Sequence, residues 1–131
     1  MIPGDIKLHK KSGQLELVYT DGAYTLSAEF LRVHSPSAEV RGHGVGQEVL
    51  QYGKKQVLIS NIESVGNYAL RLHFDDDHNS GIYTWEYLRE LCLQEEALWQ
   101  KYLNRLQAAG QSREPLPADT QVVTITPLKS D

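Results

Sequence analysis

The feature that most limits the fold is one long amphipathic segment that follows a series of much shorter ones. Apolar residues recur along it at three- and four-residue steps, namely at Leu88, Leu91, Cys92, Leu98, Trp99, Tyr102, Leu103 and Leu106. This spacing places them on one side of an α-helix. Thr84 is a suitable N-cap, Glu86 puts negative charge in the first turn, and Gly110 follows the last periodic residues. We therefore predict a long helix that begins near Thr84 and buries its apolar side.

Short candidate strands fill most of the chain before this helix. Five of them can be recognised, at residues 6–8, 15–19, 57–59, 62–65 and 68–74. Alternation of apolar and polar residues in the first, second and last is typical of half-buried strands. Ser27 can cap a short helix over residues 28–33, and the glycine-punctuated stretch 40–55 is predicted to be a loop. The sequence thus predicts an α+β fold, a small and mostly antiparallel sheet with a short helix and one long C-terminal helix packed on it.

The length of 131 residues suits one domain. We assign residues 1–109 to that domain, because the last periodic apolar residues of the long helix lie within them. Residues 110–131 contain Pro115, Pro117 and Pro127 and have little apolar content before Val122. Prolines interrupt regular structure, so this segment is predicted to be a flexible tail in which only residues 122–126 have strand character.

Charge and composition exclude several classes of function. The chain carries 13 Lys and Arg against 17 Asp and Glu, a net charge of −4, which argues against a general grip on nucleic acid. Its apolar runs fall short of the roughly 20 residues that cross a bilayer, and its first residues do not resemble a signal peptide. The single cysteine, Cys92, excludes an intrachain disulfide and a multi-cysteine metal site. We therefore expect a cytoplasmic protein that binds neither nucleic acid nor membranes.

A cluster of possible metal ligands follows the last candidate strand. His73 and Asp75 would project to the same face of that strand, and His78 comes shortly after. Two histidines and one carboxylate are the ligand set of non-haem iron sites. The alternative is that His73 and Asp75 belong to a polar sheet face and the neighbouring carboxylates to a solvated turn. A chain of this size also cannot enclose the substrate cavity of an oxygenase, so we favour the structural interpretation over catalysis.

Two stretches of the sequence resemble a known family. They are LRVHSPSAEVRGHG at residues 31–44 and the region 66–88, which begins GNYA and ends HNSGIYTWEYL. Together they resemble the gamma-butyrobetaine-hydroxylase-like N-terminal domain family in its small stand-alone bacterial form. The resemblance covers residues 6–91, and the helix extension and the tail lie outside it.

The resemblance implies a metal site that this chain does not preserve. In the full-length hydroxylases the domain precedes an iron- and 2-oxoglutarate-dependent catalytic domain and binds structural zinc through three cysteines and one histidine. By position, the cysteines correspond to Ser35, Ser37 and Val40, and the histidine to His78. Hydroxyl and isopropyl groups do not supply the donors of tetrahedral zinc, so structural zinc is not expected. Asp77 stands where the family usually has glycine, and aspartate tolerates left-handed backbone better than most residues.

These observations predict a non-catalytic accessory or interaction domain. The family domain is also fused to certain nucleotide-dependent iron–sulfur cluster carriers, which implies a link to iron or iron–sulfur metabolism through a protein partner. Without a hydroxylase domain in the sequence, we do not expect an enzyme. Arg41, His43 and Trp85 are the predicted interaction surface. The alternative is a small protein that binds iron or another divalent ion through the cluster of His73, Asp75 and His78.

Overall fold

The structure, a computed structural model, describes residues 1–42 and 44–116. Over this range the chain forms strands β1 (Asp5–His9), β2 (Gln14–Tyr19), β3 (Gly22–Ser27), β4 (Ile59–Val65), β5 (Ala69–Phe74) and β6 (Ile82–Thr84). Helices α1 (Ala28–Val33) and α2 (Ala38–Arg41) separate β3 from β4, and α3 (Trp85–Ala108) follows β6. The predicted α+β class, with a short helix and one long C-terminal helix, is confirmed.

The strands form two antiparallel sheets, each built from strands that follow one another in the chain. The first sheet has the order β1-β2-β3 and the second the order β4-β5-β6. Of the predicted strand 57–59 only Ile59 is in a strand, and it belongs with the predicted strand 62–65 to one strand, β4, which has a register shift between Ile59 and Asn61. A bulge accommodates the polar pair Ser60-Asn61 without ending the pairing. The sequence analysis predicted neither β3, in which only Leu26 is buried, nor β6, whose three residues carry too little periodicity.

The core lies between the two sheets and α3. The predicted alternation is confirmed from Leu70 to Phe74, where Leu70, Leu72 and Phe74 are buried, whereas Ala69 is buried against the pattern and Tyr68 is exposed. From α3, Leu88 and Leu91 are 0% and 1% exposed and belong to the same hydrophobic cluster. Each such side chain contributes about 1.5–3 kcal/mol through burial, so this contact fixes α3 on the sheets.

Both predicted helix caps are formed. The Ser27 hydroxyl accepts a hydrogen bond from the Phe30 amide at 3.0 Å, and the Thr84 hydroxyl accepts one from the Tyr87 amide at 3.2 Å. Each satisfies an amide that lacks a partner in the first turn of its helix. The short helix α2 lies at the start of the predicted loop 40–55, where the glycines then prevent it from continuing.

A short segment after α3 returns to the body of the domain. The Ser112 carbonyl accepts from the Gly53 amide at 2.9 Å, and the Arg113 carbonyl accepts from the Lys55 amide at 3.0 Å. The Arg113 guanidinium donates to both carboxylate oxygens of Glu29, at 2.6 and 2.8 Å. Residues 117–131 lie outside the described range, so the flexibility of the predicted tail 110–131 stays a prediction.

Candidate functional site

His78 lies at the centre of a buried polar cluster that joins two loops. It is 5% exposed and follows β5. Its buried neighbours Ser35 and Ser37 belong to the α1–α2 loop, and Glu39, which is exposed, belongs to α2. The His78 Nε2 atom is 2.8 Å from Ser35 Oγ and 3.4 Å from Ser37 Oγ, and Nδ1 is 3.3 Å from a Glu39 carboxylate oxygen. A neutral ring that donates from Nδ1 to Glu39 and accepts at Nε2 from Ser35 satisfies these contacts.

The turn that carries His78 has the backbone that the sequence predicted. Asp77 has a φ of +67°, in the left-handed region, and the Asp77 amide donates to the Phe74 carbonyl at 3.2 Å. The His78 carbonyl accepts from the Phe74 amide at 3.0 Å and closes the turn. Aspartate, one of the few non-glycine residues that adopt this conformation readily, therefore replaces the usual glycine here.

The order Ser35–His78–Glu39 resembles the hydrogen-bond order of a serine hydrolase triad. Ser35, however, is 1% exposed, and its Oγ also accepts weakly from the Ser37 amide at 3.4 Å. A nucleophile must reach its substrate, and this hydroxyl is enclosed. Cys92 is also buried, and burial raises the pKa of its thiol to about 11, so the reactive thiolate is not favoured at neutral pH. Both groups are therefore structural.

The same cluster occupies the positions where the family resemblance places structural zinc. Ser35, Ser37 and His78 do lie together. Val40, which follows Ser37 closely in the sequence, is buried on α2. Two hydroxyls, one isopropyl group and one imidazole are not a tetrahedral zinc donor set, which requires thiolates, imidazoles or carboxylates. The residues present do not fit the metal, and hydrogen bonds to His78 connect the two loops instead.

The residues predicted as an alternative iron site each bind a different part of the protein. The His73 Nε2 atom is 2.5 Å from a Glu63 carboxylate oxygen on the adjacent strand. Asp75 accepts a hydrogen bond from the Leu58 amide at 3.0 Å, and His78 belongs to the buried cluster. Within the described residues, no group of three or more His, Cys, Asp or Glu side chains could hold a metal ion. The arrangement of His73, Asp75 and His78 favours the structural interpretation.

An open groove runs beside the buried cluster, between α1, α2, the loop that follows α2, and α3. It consists of two cavities of about 440 and 530 Å³ that share five lining residues, Val33, His34, Val45, Glu48 and Arg105. Val33 and Val40 are buried beneath it, whereas Val45 and Val49 are 101% and 51% exposed. We call this feature the α1–α3 groove. Its apolar surface is accessible from solvent at the loop.

Basic side chains predominate among the charged residues that line the α1–α3 groove. Among the described residues they are Arg41, Lys101 and Arg105, against one carboxylate, Glu48. The Arg41 guanidinium lies 5.0 Å from the centre of the Tyr87 ring. Arg105 makes a long contact of 3.4 Å with the Glu48 carbonyl. The pKa of the Glu48 carboxyl is lowered, mainly by backbone hydrogen bonds and further by the positive charges of Arg105 and Lys101.

An ionic network around Asp76, in which only Arg32 is buried, fixes the loop that forms one wall of the groove. The carboxylate of Asp76, in the β5–β6 turn, accepts from Arg32 at 2.9 Å and from Lys54 at 2.7 Å. Arg32 also donates to the Gln51 side chain at 3.0 Å, and the Tyr102 hydroxyl donates to the Gln51 carbonyl at 2.9 Å. Burial acts to raise the pKa of Asp76, but Lys54 and Arg32 outweigh it and the pKa is lowered. The carboxylate is therefore charged and ties α1 to the loop.

Of the predicted interaction surface, the two described residues, Arg41 and Trp85, lie in different places. Arg41 lines the α1–α3 groove. Trp85, at the start of α3, donates its indole N–H to the Asn67 carbonyl at 2.8 Å and packs partly on the core, away from the groove lining. His43 lies outside the described residues. The sequence analysis missed Arg105, which the helical spacing places on the polar side of α3. It also missed Val49, an isolated apolar residue in the predicted loop 40–55.

Two histidines, the buried His78 and the half-buried His34, predict how stability changes with pH. Burial lowers the pKa of both rings below the ordinary value of 6.5. The positive charge of Arg105 lowers the pKa of His34 further, and that of Arg32 lowers the pKa of His78. The unfolded chain therefore binds protons first as pH falls, so the free energy of unfolding decreases below about pH 6.5 until the folded rings titrate. Each histidine can change this free energy by at most about 1.4 kcal/mol per pH unit.

Denaturant unfolding between pH 7.5 and 5 measures this slope. His34→Gln and His78→Gln are each expected to flatten it, whatever their effect on stability at pH 7.5. The wild-type protein is the reference, and equal slopes in it and in both variants would show that neither ring is kept neutral by the fold.

Comparison with known proteins defines first the class of fold and then the family. The fold is shared with two proteins whose structures were solved by NMR in solution. One is 51% identical, with a TM-score of 0.78 over 94% of this chain and 98% of the other. The second is 49% identical, with a TM-score of 0.73 over 95% and 93% of the two chains. A crystal structure of a protein of unknown function from Acidithiobacillus ferrooxidans ATCC 23270, of the DUF971 family, is 39% identical, with a TM-score of 0.56 over 68% and 90%.

The family model "Gamma-butyrobetaine hydroxylase-like, N-terminal" matches residues 6–89. The chain therefore belongs to the gamma-butyrobetaine-hydroxylase-like N-terminal domain family, and the predicted resemblance is confirmed. The comparison with curated proteins gives no match. No helix among residues 1–42 and 44–116 is long and apolar enough to cross a membrane.

Proposed function

We propose that this protein is a non-catalytic interaction domain that binds a partner protein through the α1–α3 groove. The observation that carries the proposal is the groove itself, in which exposed Val45 and Val49 adjoin the basic residues Arg41 and Arg105. Apolar surface beside charged groups is typical of sites where another protein docks.

The fixed position of the groove supports this proposal. The ionic network of Arg32, Asp76 and Lys54 holds one wall, and the Tyr87 hydroxyl donates to the His34 carbonyl beneath it. A preformed surface loses less conformational entropy on binding than a mobile one. The chemically reactive groups Ser35 and Cys92 are buried, which favours binding over catalysis at these side chains.

Site-specific photo-crosslinking in the cells that make the protein tests the proposal. A photoreactive amino acid in place of Val45 is expected to give one adduct of defined mass. The same substitution at Leu93, which is 60% exposed on α3 and outside the groove lining, is the matched control and should give none. Val49→Asp, at a half-exposed position, should abolish the adduct without unfolding the protein. Identical adducts from Val45 and Leu93, or an adduct that Val49→Asp leaves intact, would contradict the proposal.

The predicted link to iron or iron–sulfur metabolism is a finer proposal that rests on the family resemblance. It supposes that the partner, rather than this chain, carries the iron chemistry. Iron analysis of the crosslinked adduct and of the free protein tests it, since iron should accompany only the adduct. The predicted cytoplasmic location is also a proposal, and fractionation of the same cells tests it.

A further inference from the structure

We infer that the α1–α3 groove recognises an acidic segment of a protein, in which carboxylates alternate with apolar side chains. The inference rests on the proposed function and adds the chemistry of the partner. The first observation is that the sign of the charge in the groove is opposite to that of the whole chain. The whole chain has a net charge of −4, whereas the groove is lined by Arg41, Lys101 and Arg105 against Glu48. Positive charge is therefore concentrated at this place on an acidic protein.

The two guanidiniums are available to a ligand. Among residues 1–42 and 44–116, neither Arg41 nor Arg105 forms an ion pair with a carboxylate. By contrast, Arg32, Arg89 and Arg113 each have a carboxylate partner within 3.0 Å. Arg41 and Arg105 are both exposed. An incoming carboxylate could thus accept hydrogen bonds from either one without breaking an internal ion pair.

The apolar part of the lining determines what accompanies the carboxylates. Val33 and Val40 form the buried base, and Val45 and Val49 form the exposed margin. The two cavities share five lining residues and are open to solvent, so they form one continuous trough rather than a closed pocket. An extended peptide places successive side chains on opposite sides, so alternating acidic and apolar residues can meet the arginines and the valines together. A free small anion would leave the valines uncovered.

Glu48 provides an internal test of the same idea. It is the carboxylate that already lies among the basic side chains of the groove, and Arg105 and Lys101 help to lower its pKa. A ligand carboxylate in this position has to compete with it. Removal of the Glu48 charge should therefore strengthen binding of an acidic ligand, whereas removal of a basic charge should weaken it.

The experiment uses the full chain, labelled with ¹⁵N, and three five-residue peptides with blocked ends. The first alternates leucine with aspartate, and the others have asparagine or lysine in place of aspartate. We expect the aspartate peptide to shift the amide resonances of Val33, Val45, Val49 and Arg105, with at least tenfold higher affinity than the asparagine peptide. The lysine peptide should not bind. The affinity should fall as salt rises, because exposed charges are screened.

Variants identify the groups responsible. Arg41→Ala and Arg105→Ala should each weaken the aspartate peptide about tenfold and leave the asparagine peptide unchanged, whereas Glu48→Gln should strengthen it. Lys7→Ala removes an exposed positive charge on β1, outside the groove, and should change nothing. Thermal melts establish that each variant is folded.

The outcomes separate this inference from the proposed function. Equal binding of the aspartate and asparagine peptides at the groove would overturn the acidic preference and leave an interaction groove. Shifts confined to amides elsewhere, or no shifts with any peptide, would overturn the inference. In that case the crosslinking at Val45 would still decide independently whether a protein docks there.

Discussion

Three cysteine substitutions, Ser35→Cys, Ser37→Cys and Val40→Cys together, are expected to make this protein bind one zinc ion per chain. The Ser35 and Ser37 hydroxyls already lie within 3.4 Å of His78 Nε2, so thiolates at these positions could bind the same metal ion as this nitrogen. Glu39 contacts the other ring nitrogen at 3.3 Å, as carboxylates behind zinc-bound histidines commonly do. Three thiolates and one imidazole form a closed structural zinc site. Elemental analysis after purification without an affinity tag measures the metal.

The wild-type protein and a double variant, Ser35→Cys with Ser37→Cys, are the controls. Zinc at 1,000 times its dissociation constant adds about 4.1 kcal/mol to stability, so a chelator should markedly lower the melting temperature of the triple variant. The wild type should hold no stoichiometric zinc and melt at the same temperature with or without chelator. A folded triple variant without zinc would show that Val40 does not face His78. Zinc in the wild type would show that our account of the donor set is wrong.

Arg113→Ala is expected to lower the free energy of unfolding by about 2–3 kcal/mol, because it leaves the Glu29 carboxylate buried without its partner. Glu29 is 5% exposed and accepts two hydrogen bonds from Arg113, whose guanidinium also lies 5.0 Å from the Trp99 ring centre. The effect is discounted from that of a fully buried pair, since the Arg113 side chain is 36% exposed. Urea denaturation at pH 7 measures it.

The same segment offers a matched control. Lys55 and Glu114 form an exposed ion pair at 3.0 Å, so Lys55→Ala should cost less than about 1 kcal/mol. Glu29→Gln removes the buried charge, and combining it with Arg113→Ala should restore part of the stability lost in Arg113→Ala alone. A loss in Arg113→Ala no larger than that in Lys55→Ala would show that residues 111–116 contribute little to the fold.

The sequence predicted the helices and strands that depend on residues close together in the chain. Ser27 and Thr84 are caps that act within three residues, and the alternation in β5 reports burial residue by residue. The long helix could be predicted equally well, because the spacing of its apolar residues extends over about five turns. The sequence analysis placed a break between two strands at the bulge in β4, since the Ser60-Asn61 pair is polar in either case and only the pairing with β5 distinguishes a bulge from a break.

The candidate site was harder to predict, because its residues meet only in space. Ser35 and His78 are 43 positions apart, and no periodicity connects them; the family resemblance was the only signal that they belong together. Arg105 reaches the groove from the far end of α3, to which the helical pattern assigned an exposed position. His73, Asp75 and His78 are close in sequence, yet their partners are a strand neighbour, a backbone amide and a distant loop.

The order of the strands has a consequence for how the chain folds. Both sheets pair strands that are neighbours in sequence, so every strand pairing closes a short loop. Pairings of this kind lose little loop entropy and give low contact order, which is associated with rapid folding. Contacts of long sequence separation arise when α1 and α3 pack on the sheets and when His78 meets the α1–α2 loop. We expect the two meanders to form early and the docking of α3, with the buried histidine contacts, to complete the transition.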